Sequence, residues 1–543
     1  MFHYIHGYQA EYWPGLVRAG LIDDTSGLKL TQHGLTDPGN TFNALARAGG
    51  AVHAIIREAN RPFYIDRLQG GTFFYPYRFD AELVRLYLDM LGDRFYGFQM
   101  HEWASNLVTD WQFLAQVAPE NWSAEGIEQT IRSLCPYPYL NLSCHSVAEY
   151  ATLGKPANTE DFIRQAEALF AKRQQEHLGL LLPADSYFMA PMIELTLGAK
   201  RLMPEVGAQI PDMRVQMAYT RGMARGAGVP WGVYYEPWGG KPFGVCYYKT
   251  DNVNEWNIAD DGDFQYVRTG ANGGSSRSLQ ARLHRYAYLS GASFISEEWG
   301  LSNTFYDWQD FVLTPYGQVK KDFLAFVRKY PDVGVPETVA AVVLPRDWPI
   351  LDLNSLRNDT YLGFAVTGPE RDRLHQVRAG LNQLFGSLSG ALGNEAHVIK
   401  NGGCPDVLDI VHQGDEQALA RYRLLVDLTG DPSFAHAYPN VCTPGEADRQ
   451  LRSLLPCQVD GAVHWLLNRC ATGWLLAVFN HNGIERTVEH GEVLLEQAAA
   501  EAVLSLRPGL NFKLLEGTET VSCQEDQWQI HLPAGGWLLA RLT

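Results

Sequence analysis

The residues with the clearest chemical potential are glutamates that stand beside tryptophans at the ends of apolar runs. They occur in Tyr96-Gly-Phe-Gln-Met-His-Glu-Trp103, in Gly232-Val-Tyr-Tyr-Glu-Pro-Trp-Gly-Gly240 and in Phe294-Ile-Ser-Glu-Glu-Trp-Gly300. A buried strand that delivers a carboxyl group to its C-terminal end, next to a ring able to stack on a ligand, suits cleavage of a glycosidic bond. That reaction needs one carboxyl to protonate the leaving oxygen and a second to attack the anomeric carbon or activate water. Their environments must differ, so that one keeps its proton near neutral pH while the other is ionised.

Glu298 is the expected nucleophile, with Glu236 or Glu102 acting first as acid and then as base. Glu297 precedes Glu298, and alternation along a strand turns one of the two inward and the other into the wall. Glu236 falls on the strand before that of Glu298. Neighbouring strands ~4.8 Å apart could bring two carboxylates within the ~5–5.5 Å of a retaining pair. Trp103, Trp238 and Trp299 are the expected stacking walls. Asp66, Arg67, His101, His145 and Asp185 are substrate-binding candidates at other strand ends, and Arg221 is similarly placed. Asp66 and Arg67 read more readily as a structural ion pair; the two histidines could orient a glutamate, though each alone reads more readily as a satisfied wall residue. Two other classes stay open: a non-hydrolytic carbohydrate-binding barrel, and a lyase acting on acidic sugars.

Such groups need a frame that points many strand ends at one place. Up to about residue 335 short apolar runs alternate with amphipathic stretches, as repeating β-α units do. The strand candidates are Phe2–Tyr8, Pro62–Leu68, Tyr96–Trp103, Tyr139–His145, Gly179–Asp185, Arg214–Arg221, Trp231–Trp238 and Ser293–Trp299. These are eight, the number that closes a (β/α)8 TIM barrel, which carries its chemistry at the C-terminal strand ends. Helices are expected from about Asp80 to Leu91, after the Asn158-Thr159 cap, and after Thr314-Pro315.

Beyond Pro331-Asp-Val-Gly-Val-Pro336 the texture changes. Thr338–Leu344, Ala396–Ile399 and Tyr422–Asp427, with a helix near Leu374–Leu388, indicate a small doubly wound α/β (flavodoxin-like) domain. Neither dinucleotide nor P-loop glycine spacing occurs, so no nucleotide is expected. From about Ala462 strands and turns follow one another, as in an antiparallel β-sandwich. The expected division is 1–335, 336–458 and 459–543.

The chain of 543 residues has a net charge of -17, which disfavours nucleic acid and anionic membrane as partners. A carbohydrate suits this field. The first residues lack the basic start and apolar core of a signal peptide, so the cytoplasm is the default, a trimmed secreted form aside. The eight cysteines form no C-x-x-C pair, and neither a metal nor another cofactor is expected.

The order of parts resembles the family 42 β-galactosidases within the retaining (β/α)8 glycoside hydrolases. The resemblance rests on Ser296-Glu-Glu-Trp-Gly300 and on Leu313-Thr-Pro-Tyr-Gly317, which opens the last barrel helix. It implies a glutamate pair three strands apart, the acid/base after the fourth strand and the nucleophile on the seventh. It also implies a middle domain that helps subunits associate, hence a possible homo-oligomer. Glu102 follows His101 where the family has asparagine, and the strand count above puts Glu102 third and Glu298 eighth.

Overall fold

The computed structural model describes the chain except for residues 7–12, 32–45, 67–80, 135–144, 208–211, 237–269, 272–275, 298–303, 306–309, 347, 349, 354, 358, 387–398, 488–490, 518 and 525–526. Eight parallel strands close into a barrel: His3–His6, Ser26–Thr31, Phe63–Asp66, Phe95–His101, Leu181–Asp185, Met203–Gly207, Gly232–Glu236 and Phe294–Glu297. Closure is made by the last strand pairing with the first, His3 opposite Phe294 and Ile5 opposite Ser296.

Six of the expected strands are present, and two corrections renumber the ring. Arg214–Arg221 is not a strand but lies inside the helix Met213–Ala227. That helix is buried on two sides: Met213, Met217 and Ala224 pack with the outward-facing side chains of the barrel strands, while Val215, Ala218 and Tyr219 face the next domain. Apolar residues on both faces imitate the period of a strand. Tyr139–His145 falls largely outside the described residues. His145 itself is not in a strand; it stands just before Ser146, which caps the helix Val147–Leu153.

The strands missing from the expected set are Ser26–Thr31 and Met203–Gly207. The first carries a lysine at an inward position. The second carries Pro204, which argues against a strand because it cannot donate to a ladder. Here the ladder to the fifth strand extends only over Ala184–Met203 and Asp185–Pro204, which reduces what the missing donor disturbs. Glu102 therefore follows the fourth strand, not the third.

The helix signals hold. The Thr314 side chain accepts the Gly317 amide at the start of Pro315–Lys329, a cap worth about 1 kcal/mol. Asn158 does the same for Thr159–Glu176 through Asp161.

After the barrel, Ala340–Leu344 is flanked by Leu408–His412 on one side and by Leu424–Asp427, then Val441–Cys442, on the other, all parallel. Ala396–Ile399 falls almost entirely outside the described residues. The C-terminal part contains two larger antiparallel sheets, besides the pair Ile484–Thr487 and Gly491–Leu494 that joins Gly270–Ala271. One contains His464–Arg469, Trp474–Phe479, Phe512–Gly517 and Trp537–Leu542; the other contains Cys457–Gly461, Ala500–Leu506, Thr520–Gln524 and Gln527–Leu532. The segment Val335–Pro336 adds an edge to the first sheet by pairing with Asn468–Arg469. Among the described residues no helix is long and apolar enough to cross a membrane.

Candidate active site

The barrel interior is packed at its base by Ile5, Tyr64, Leu182, Ala184, Met203, Tyr234 and Phe294. The period of two along each strand then fixes which residues face inward nearer the C-terminal ends. They include Lys29, Asp66, His101, Glu205, Glu236 and Ser296, all buried. Six polar groups over an apolar plug make the mouth of the barrel the polar end.

Glu236 ends the seventh strand. A Cβ placed on Gly207, its partner at the end of the sixth strand, would lie 2.6 Å from Glu236 Oε2 and 2.0 Å from the Glu236 carbonyl oxygen. The bare glycine is what lets this carboxylate lean over the barrel interior.

Glu102 follows the fourth strand at φ 44° and ψ 46°, in the left-handed region. A non-glycine residue there costs about 1 kcal/mol or more, and such positions concentrate at functional sites. The turn lets the helix Trp103–Leu114 begin at once, with the Glu102 carbonyl accepting the Asn106 amide at 2.8 Å. Its carboxylate is 29% exposed and lies 3.8 Å from His101 Nε2. His101 sits edge-on to the Tyr234 ring, with centroids 5.6 Å apart.

The segment around Glu102 is held from outside the barrel by two buried carboxyl groups. Asp185 Oδ2 accepts the amides of Ala104 at 2.5 Å and Ser105 at 3.2 Å, capping the helix from the neighbouring strand. Burial pushes Asp185 up to about 7, against its backbone hydrogen bonds and with a further push from Glu102. Trp103 Nε1 donates to Glu194 Oε1 at 2.8 Å, and the ring packs on Phe170. Burial pushes Glu194 to about 8, opposed by the Trp103 hydrogen bond and aided by Asp185. Asp185 and Trp103, expected to touch substrate, are thus turned into the wall. They support the turn instead.

At the eighth strand, Glu297 also faces outward. Its Oε1 accepts from Tyr4 at 2.7 Å and pairs with Lys320 at 2.8 Å. Burial works to raise its carboxyl, and the Lys320 charge with the hydrogen bonds from Lys320 and Tyr4 overrides it, leaving the group lowered. Glu298, Trp299, Trp238 and Arg67 lie outside the described residues.

Asp66 is paired with Lys29 at 2.9 Å, and the expected partner Arg67 lies outside the described residues. Lys29 Nζ also donates to the Glu297 carbonyl at 2.6 Å, tying the second, third and eighth strands together inside the barrel. His145 lies elsewhere, 3.4 Å from Arg173 and edge-on to Tyr150. Arg221 is on the barrel's outside, where it binds Asp409 at 2.6 Å and Asp406 at 3.3 Å across the boundary with the α/β sheet.

Lys29 and Glu205 were absent from the sequence candidates because their strands were. The available signal for the first was the alternation in Ser26-Gly-Leu-Lys-Leu-Thr31, but a lysine in an alternating strand ordinarily marks the solvent face. Among the described residues no group of three or more His, Cys, Asp or Glu is arranged to hold a metal ion.

Neither a family model nor a curated protein sequence matches the chain. Solved structures similar to it include α-L-fucosidase isoenzyme 2 from Paenibacillus thiaminolyticus, 8% identical, covering 100% of this chain and 99% of that one at a TM-score of 0.45. A β-galactosidase from Halorubrum lacusprofundi is 9% identical over 100% and 99% of the two chains, with a TM-score of 0.44. A family 30 subfamily 8 xylanase from Clostridium acetobutylicum is 7% identical over 100% and 95%, at 0.29. Likeness at this level carries no weight for the chemistry, which rests on the barrel's own residues.

Proposed function

We propose that the chain is a glycoside hydrolase acting on a carbohydrate at the barrel mouth, with Glu102 as acid/base and Glu236 as nucleophile. The observation that carries this reading is the position of two glutamates at C-terminal strand ends, three strands apart on the closed ring. Glu236 has its carboxylate over the barrel interior, and Glu102 stands partly exposed on a strained turn. A partly exposed carboxyl can exchange its proton with solvent between steps, as an acid/base must. A buried one on the opposite side can stay fixed for attack. The fourth and seventh positions are those that the family 42 resemblance leads one to expect. Glu298 is the rival nucleophile, supported by strand alternation and by the resemblance carried by Ser296-Glu-Glu-Trp-Gly300.

In this scheme Glu102 protonates the leaving oxygen as the Glu236 carboxylate bonds to the anomeric carbon. Glu102 then takes a proton from water, which displaces Glu236 with net retention. A panel of aryl glycosides of graded leaving-group acidity tests it. Glu236→Gln should lower kcat by more than about a thousandfold for every aglycone. Glu102→Gln should lose about 10²–10⁴-fold on poor leaving groups and far less on good ones, since those need no protonation. Azide should rescue Glu102→Gln and yield a glycosyl azide. Full activity of Glu236→Gln with loss in Glu298→Gln would move the nucleophile to the eighth strand. Full activity in all three variants would end the reading.

A further inference from the structure

A cavity lies away from the barrel mouth, between the C-terminal ends of two barrel helices and the α/β sheet. Its volume is about 530 Å³, and its walls include Leu195, Met223, Gly226, Arg346, Val411 and Asp415. Helices of a (β/α)8 barrel run back against its strands, so helix C-termini lie at the face opposite the mouth. Leu195 is in the last turn of Ala190–Thr196, and Gly222 to Ala227 close the helix Met213–Ala227. The opposite wall is the carboxyl edge of the parallel sheet, where Ala340–Leu344 and Leu408–His412 end. Open α/β sheets bind ligands at that edge, and domain boundaries favour pockets of this size.

Two glycines on one helix build it in different ways. Gly222 lets the helix touch the sheet, for a Cβ there would come 2.4 Å from the Ile410 carbonyl. Gly226, one turn on, has only the flexible Asp415 carboxylate at 3.3 Å and the Ala418 methyl at 3.8 Å. Close packing does not demand a glycine at 226; its lack of a side chain keeps the cavity open.

The polar groups can be sorted by what already holds them. His412 is bonded at both ring nitrogens, to Tyr219 and to the Pro345 carbonyl. The Gln413 amide donates to Asp431. Asp415 uses Oδ1 to cap the short helix that follows, through the Ala418 amide. Arg346 lies across Gly414, its guanidinium 2.5 Å from where a Cβ would stand, and neither it nor Asp415 forms an ion pair with another described residue. What remains is one cation and one anion on the cavity wall, not bonded to each other. The surfaces between them, Leu195, Met223, Val411 and Ala418, are apolar and carry no aromatic ring.

A simple anion would meet Asp415 and the chain's net charge of -17, and a sugar would find no ring to stack on. We propose that this cavity binds a small zwitterion of amino-acid to dipeptide size. Its carboxylate would pair with Arg346, its ammonium with Asp415, and its apolar side chain would lie against Leu195, Met223 and Val411.

Calorimetric titration of the full chain with L-leucine and with glycyl-L-leucine tests this. At least one should bind in the millimolar range or tighter. L-Leucinamide, which lacks the carboxylate, and 4-methylpentanoate, which lacks the amine, should each bind about tenfold more weakly. Arg346→Gln and Asp415→Asn should each weaken the zwitterion by a similar factor, and Gly226→Leu should abolish binding by filling the space. All three should leave aryl glycoside turnover unchanged. The proposal fails if neither zwitterion binds, if the one-charge analogues or glucose bind as well, or if Arg346→Gln, a surface change, binds as the native chain does. These readouts are independent of turnover, so their failure is distinguishable from failure of the glycosidase reading.

Discussion

The exits of the fourth and eighth barrel strands both place acids in the wall behind the mouth, and they treat them in opposite ways. Behind Glu102, burial raises Asp185 and Glu194 to about 7 and 8, and among the described residues no cation forms an ion pair with either. Their partners are hydrogen-bond donors, backbone amides for one and an indole for the other. Behind the eighth strand, Lys320 holds Glu297 as an ion, with His6 and His284 kept neutral beside it by burial, at about 4 and 3. The difference teaches that burial alone does not decide the charge of a carboxyl; the nearest donor does. An amide satisfies a carboxyl in either protonation state, whereas a lysine requires the anion.

The largest effect that would break this comparison is Lys320→Met. It leaves a buried carboxylate without its cation and should cost about 3–5 kcal/mol in urea unfolding. Adding Glu297→Leu should recover much of the loss, since the pair as a unit contributes little over apolar side chains of similar volume. A cost below about 1 kcal/mol for the single variant would show that Glu297 is not held as an ion.

The pH dependence of stability should separate the two exits next. His6 and His284 have folded values below their ordinary 6.5. The stability they contribute is therefore present above 6.5 and lost as pH falls toward 4, with Glu297, also lowered, adding to the loss below about 4.5. Asp185 and Glu194 are raised, so they act in the other direction: stability falls as pH rises from about 4 to 8. Glu194→Gln keeps an acceptor for Trp103 and removes the titration. It should gain on the order of 1 kcal/mol or more relative to the native chain between pH 5 and pH 8. Parallel curves for the two proteins would place Glu194 among ordinary ionised carboxylates.

The smallest effect concerns the turn itself. Glu102→Gly relieves the left-handed backbone and should raise stability by about 0.5–1 kcal/mol while removing activity. A destabilised Glu102→Gly would mean that the side chain, not function, keeps glutamate at that φ.

Much of the frame was legible. Apolar runs of four to seven residues bounded by polar groups revealed six of the eight barrel strands, because a strand buried on both faces has no other way to read. The capped helices at Thr159 and Pro315 followed from side chains that satisfy local amides. The site was legible in kind but not in arrangement. The Glu-Trp pairs marked strand ends, yet Trp103 proved to be anchored to Glu194 in the wall. Nothing in Met-His-Glu-Trp distinguishes a ring that faces the mouth from one that faces a helix.

The sequence by itself determined that this chain builds a parallel barrel with acids at its strand ends, since hydrophobic period and local capping act over a few residues. Only the tertiary structure decided the ring position of each acid and the contents of the barrel. Met213–Ala227 became a helix because two domains bury its opposite faces, and Lys29 turned inward because Asp66 and the Glu297 carbonyl wait there. Those contacts join residues 37 and 268 apart in the chain, a separation over which no local pattern carries information.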